Sequence, residues 1–105
     1  MSTSMKLKTN KDIIKLVEQN LFLFRCFTKV FLFGSLLDDE RIPNDIDILL
    51  VYVTYTDEIK DEIINISSVL ESVCGLAVDL TVLSIDEEND TGFLQKIEPK
   101  CLRLK

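Results

Sequence analysis

Three aspartates and one Gly-Ser pair carry the chemistry open to this sequence. Asp45 and Asp47 stand one residue apart at the head of an apolar run, DIDILLV. They follow Gly34-Ser35 by nine intervening residues, and a third acid, Asp79, lies alone within VDLTV. Side chains alternate across a strand, so Asp45 and Asp47 share a face if this run is extended. Carboxylates gathered without counter-ions repel one another, and one or more is forced toward its neutral form. Divalent cations resolve the conflict. Magnesium prefers carboxylate oxygens combined with substrate phosphate over an all-protein cage. Two such ions sharing aspartates serve in-line phosphoryl and nucleotidyl transfer, one activating the attacking hydroxyl and the other stabilising the leaving pyrophosphate. Gly34 has no Cβ to keep a phosphate from backbone N–H groups, and Ser35 adds a hydroxyl to that cradle. The candidate set is Asp45, Asp47 and Asp79 as catalytic and metal-binding residues, with Gly34 and Ser35 on the nucleotide.

These residues converge only if the chain folds in a particular way. Asn10 is a candidate helix cap, after which Ile13, Val17, Asn20 or Leu21, and Phe24 recur at helical spacing. The pattern predicts a helix over about Lys11 to Phe24. Lys29 to Phe33 is short, apolar and aromatic and predicts a buried strand ending at Gly34. Leu36 to Asn44 is an acidic loop with room for one helical turn, closed by Pro43. Asp45 to Val53 is a second strand. Thr56 or Asp57 caps a long helix whose apolar stripe is Ile59, Ile63, Ile66, Leu70 and Val73, and Gly75 stops it. Leu76 to Leu83 is a third strand. Ser84 to Asn89 is polar and acidic, Asp90 is a candidate cap for a short helix through Ile97, and CLRLK alternates as a brief edge strand would.

The expected order is α-β-β-α-β-α-β, an α/β (α+β) chain with a small mixed sheet and flanking helices. A short link makes the first two strands antiparallel, and a helical crossover makes the second and third parallel. The end of the first strand then lies beside the starts of the other two. That places Gly34-Ser35 next to Asp45, Asp47 and Asp79.

Composition narrows the alternatives. The chain has 105 residues, which suits one domain spanning 1–105. It has no histidine, so a histidine base or triad is excluded. The net charge of −6 argues against direct nucleic-acid binding and for a basic protein partner. Cys26, Cys74 and Cys101 are widely spaced and odd in number, which points to free thiols in a reducing compartment rather than zinc. The most apolar stretch is interrupted by Arg25 and Lys29 and is too short to span a bilayer. No hydrophobic leader opens the chain. A cytoplasmic protein without membrane contact is expected.

Gly34-Ser35, nine residues, then Asp45-Ile46-Asp47 resembles the signature of the DNA polymerase β-like nucleotidyltransferases, and Asp79 in VDLTVL looks like their third carboxylate strand. The resemblance runs from about Asn10 to Leu104, with its specific part at Phe33 to Leu50 and Asp79. The size is similar to that of the minimal nucleotidyltransferases, many of which act as antitoxins paired with a small helical ribonuclease toxin. The resemblance implies a nucleotidyltransferase fold, ATP as substrate with two magnesium ions (Mg2+), and transfer of AMP to a tyrosine hydroxyl of a toxin partner. The chain departs from that group after Gly34-Ser35. Where minimal members often carry an Arg-rich turn, it reads Leu36-Leu37-Asp38-Asp39-Glu40, and the first nearby cation is Arg41.

Two classes of function therefore stand side by side. One is a magnesium-dependent adenylyltransferase acting on a partner protein or on a small molecule such as an aminoglycoside. The other is a nucleotidyltransferase-fold binding module that neutralises a partner without turnover. Intact Asp45, Asp47 and Asp79 favour the first, and the acidic stretch favours the second. No segment is long enough to form a separate acceptor-binding domain, so the acceptor is expected to be small or to arrive on another chain.

Overall fold

The computed structural model describes residues 9–38, 40 and 42–105. Residues 1–8, and Asp39 and Arg41 of the acidic loop, lie outside the described residues. The elements are α1 (Asn10–Glu18), β1 (Lys29–Phe33), β2 (Asp45–Tyr52), α2 (Asp57–Cys74), β3 (Ala77–Ser84), α3 (Ile85–Thr91), α4 (Phe93–Ile97) and β4 (Cys101–Arg103). Two 3₁₀ turns, Leu21–Phe24 and Gly34–Leu37, complete them.

The four strands form one sheet in the order β3-β2-β1-β4. β1 pairs antiparallel with β2 and β4, and β2 pairs parallel with β3. This is the mixed sheet with flanking helices that the sequence pattern predicts. The sheet separates two apolar layers. Ile46, Ile48, Leu50, Val30 and Leu32 pack on one side with α1, α2 and the Leu21–Phe24 turn. Phe31, Leu49 and Val51 pack on the other with Phe33, Leu83, Phe93, Leu94 and Ile97. Alternation along β2 therefore puts Asp45 and Asp47 on the same face as Leu49 and Val51, the face covered by α3 and α4.

α2 is the main brace of the first layer. Thr56 caps its start, accepting the Ile59 N–H, and Gly75 ends it in the left-handed region with φ 74°. Ile59, Ile66 and Leu70 are buried along its stripe, each stabilising the fold by roughly 1.5–3 kcal/mol. Glu62 interrupts the stripe and is also buried. Its Oε1 accepts the Cys26 N–H at 2.9 Å and its Oε2 lies 3.7 Å from the exposed Arg25 Nε, so the carboxylate is partnered where it enters the core.

Three boundaries differ from the sequence pattern. The cap of α1 is Thr9, not Asn10, because Thr9 and Asp12 form a reciprocal capping box. α1 ends at Glu18 rather than Phe24. The Asn20 side-chain amide N–H donates to Leu16 O at 2.7 Å and the Asn20 backbone N–H donates to Val17 O, which tightens and stops the helix. The acidic stretch after Ser84 is helical. Ser84 caps α3 through a capping box with Glu87, so Asp90 lies inside that helix and caps nothing; Gly92, at φ 62°, divides α3 from α4.

Candidate active site

The Gly-Ser turn begins where β1 ends. Gly34 has φ 80°, a conformation that L side chains rarely adopt. A Cβ on Gly34 would overlap Asp47 Oδ2 and lie 3.1 Å from Asp47 Cγ. The glycine is thus required twice, once by its backbone angle and once by the carboxylate packed against it. Asn10 buttresses the turn from behind: its side-chain amide donates to Asp38 O at 2.9 Å, tying the start of α1 to the loop that leaves the turn.

Sheet register sets the acids. Asp47 lies opposite Phe33 on β1 and opposite Asp79 on β3, and Asp45 lies opposite Ala77. Asp45, Asp47 and Asp79 therefore share one face at one end of the sheet, beside Gly34. The start of β3 is held independently, because Glu71 of α2 accepts the Val78 N–H at 3.1 Å. Burial pushes the Asp47 carboxyl above the ordinary aspartate range, and the charges of Asp45 and then Asp79 push it further the same way. Among the described residues, none of the three acids is ion-paired to a lysine or arginine.

The donor set is made of hard carboxylate oxygens, and the strain on Asp47 is of the kind a divalent cation relieves. Among the described residues, no three His, Cys, Asp or Glu side chains close on a common point tightly enough to hold a metal ion. The acids form an open ledge, and the Gly34 backbone beside them is bare of side chain.

Next to this ledge lies a cavity of about 340 Å³ lined by Phe33, Gly34, Ser35, Asp38, Ile97 and Lys100. The Phe33 ring meets Phe93 edge-on at 5.5 Å between centroids, which anchors α4 over this side of the sheet. Ile97 and Lys100 escape a motif reading of the sequence because they lie far from Gly34 along the chain. The signal that could find them is register. Phe33 pairs with Cys101 on antiparallel β4, so Lys100 falls one step beyond, level with Gly34.

Residues 13–103 match the family model of the nucleotidyltransferase domain. The chain belongs to the nucleotidyltransferase domain family. No curated protein matches it significantly. Among solved structures, this nucleotidyltransferase domain is similar to a chain of the tri-AMPylated Shewanella oneidensis HEPN toxin in complex with MNT antitoxin. The identity is 23% over 91% of this chain and 68% of that one, with a TM-score of 0.51. It is similar to a chain of a toxin-antitoxin with AMP-PNP at 24% identity, over 93% of this chain and 73% of that one, with a TM-score of 0.56. A third similar structure, described as a nucleotidyltransferase of Sulfolobus solfataricus, is 20% identical over 96% of this chain and 90% of that one, with a TM-score of 0.52. At these identities the likeness is one of fold. Among the described residues, no helix is long and apolar enough to cross a membrane.

Proposed function

We propose that the chain folds as one minimal nucleotidyltransferase domain that moves AMP from ATP to a tyrosine hydroxyl of a basic, toxin-like partner protein in the cytoplasm. The observation that carries the reading is the in-register pair Asp47 and Asp79, with Asp45 on the same face, packed against a glycine whose Cβ would strike Asp47. Family membership supports the reaction class. The toxin–antitoxin complexes of similar fold, one with an AMPylated toxin and one with AMP-PNP, support the nucleotide and the kind of partner.

Asp45, Asp47 and Asp79 do not close a metal cage by themselves; they are the residues that would hold magnesium together with oxygens of the nucleotide phosphates. When bound, the ions supply charge neutralisation at the attacking and leaving oxygens. Gly34 and Ser35 seat the phosphates against the backbone. Asp47, held between Asp79 and Gly34, fixes the α-phosphate end of the site. Asp79, on the outer strand β3, aligns the acceptor hydroxyl and takes its proton. The acceptor oxygen then bonds to the α-phosphorus as the bond to the β-phosphate breaks, and pyrophosphate leaves. Alignment of this kind supplies much of the rate of such a transfer. A net charge of −6 favours capture of a basic partner at low salt.

A second reading, a fold-retaining module that binds its partner without turnover, is favoured by one observation: an acidic residue, Asp38, lines the cavity beside Gly34 and Ser35. Co-expression with the product of the neighbouring open reading frame separates the two. Intact-mass analysis after ATP and magnesium should show the partner gaining one AMP per modified tyrosine. A complex that forms but gains no mass supports the binding module. Adenylylation of a free small molecule, with no complex, supports the small-molecule transferase.

A further inference from the structure

We propose that Lys100 is the cation that binds the β- and γ-phosphates of the nucleotide, a role that rests on the nucleotidyltransferase reading above. A triphosphate seated on Gly34 and Ser35 brings several negative charges beside Asp38 and the three-aspartate ledge. The ledge, with magnesium bound, would neutralise the α-phosphate end. The far end of the phosphate chain needs its own counter-charge; the stretch that follows Ser35, Leu36-Leu37-Asp38-Asp39-Glu40, is acidic, and the first cation after it, Arg41, lies outside the described residues.

The fold supplies one from the other end of the chain. Lys100 precedes β4, whose antiparallel pairing with β1 sets Cys101 opposite Phe33. That register delivers Lys100 to the level of Gly34, and Lys100 lines the same cavity as Gly34, Ser35 and Asp38. Among the described residues that line this cavity it is the one lysine or arginine. Asp38 does not consume it: among the described residues Lys100 forms no ion pair, and Asp38 Oδ1 accepts the Glu40 N–H at 3.1 Å. A lysine ammonium is a compact, flexible point charge suited to a phosphate chain that needs no planar fork. The neighbouring Lys96 lies on α4 and does not line the cavity, which provides an internal control of equal charge.

The test is calorimetric titration of magnesium-ATP into the full chain and its Lys100→Met, Lys100→Arg, Lys96→Met and Asp47→Asn variants, with inorganic tripolyphosphate as competitor. Lys100 is exposed, so its substitution should leave the melting temperature unchanged. Lys100→Met should weaken magnesium-ATP about tenfold or more, as the loss of a hydrogen bond to a charged group does. Competition by tripolyphosphate should fall by the same factor, Lys100→Arg should keep most of the affinity, and Lys96→Met should bind as the parent does. Three results overturn the proposal while leaving the site reading intact: parent-like binding by Lys100→Met when Asp47→Asn is weakened, equal losses in Lys100→Met and Lys96→Met, or a loss for ATP with none for tripolyphosphate. A parent protein that binds no magnesium-ATP overturns both.

Discussion

Alanine at Gly34 should destabilise the fold by an amount that depends on Asp47. The φ of 80° places an L residue in the left-handed region, at a cost of about 1–2 kcal/mol. The new Cβ also overlaps Asp47 Oδ2 and crowds Cγ at 3.1 Å. Asp47 is bracketed by Phe33 and Asp79, so it yields by leaving its rotamer, at roughly 0.5–1.5 kcal/mol. The expected loss is therefore about 1.5–3.5 kcal/mol. In an Asp47→Ala background the colliding atoms are gone and only the Asp47 Cβ remains, at 3.4 Å, an ordinary contact. The same Gly34→Ala change should then cost about 1–2 kcal/mol, leaving a coupling of roughly 0.5–1.5 kcal/mol. Urea denaturation of the four proteins with chelator present measures the cycle, provided the m-values agree. Equal costs in the two backgrounds would refute the packing of Gly34 against Asp47, and a Gly34→Ala cost below about 0.5 kcal/mol would refute the backbone argument as well.

Other perturbations follow from the same geometry. Asp47→Asn should stabilise the metal-free protein at neutral pH by about 0.2–1 kcal/mol, because it removes a partly buried charge that Asp45 and the cross-strand Asp79 both repel. The raised Asp47 carboxyl binds its proton more tightly folded than unfolded, so its penalty is full above its folded value and vanishes below the unfolded value; the advantage of the Asn variant should disappear below about pH 4 in thermal melts. Asp79→Asn should retain most ATP binding yet transfer AMP roughly a thousandfold more slowly in a labelled-nucleotide assay, and near-normal transfer would remove Asp79 from the mechanism. Ser84→Ala should cost about 1 kcal/mol in urea unfolding by deleting the cap of α3. Glu62→Ala should cost about 1–3 kcal/mol by leaving the Cys26 N–H without its partner.

What the sequence made legible was local or strictly periodic. β1, β2 and β3 are short apolar runs bounded by turn residues, and link length decided which pair runs parallel, which brings the acids to one end of the sheet; the register that sets Asp47 between Phe33 and Asp79 is read from the structure alone. Helix ends were less legible because Thr9 and Asn10 are both good caps, and only Asp12 at the third position of the helix decides for Thr9. α3 was hidden because it buries no residue: its helix rests on the Ser84–Glu87 box rather than on an apolar stripe. Lys100 was illegible for a different reason. Its place beside Gly34 depends on which strand β4 joins, and nothing local to CLRLK chooses β1. Gly34, Ser35, Asp45 and Asp47 lie close together along the chain and Asp79 arrives through a helical crossover that the pattern announces, whereas Lys100 comes from a pairing that nothing local announces.

The central claim, that the Gly34-Ser35 turn and the ledge of Asp45, Asp47 and Asp79 form one magnesium-dependent nucleotide site, is tested most directly by calorimetric titration of ATP into the parent chain and Asp47→Asn, each with magnesium and with chelator. The account predicts binding by the parent in magnesium, its loss in chelator, and at least a tenfold weaker magnesium-dependent affinity for Asp47→Asn. The same magnesium-dependent affinity in both proteins would contradict it.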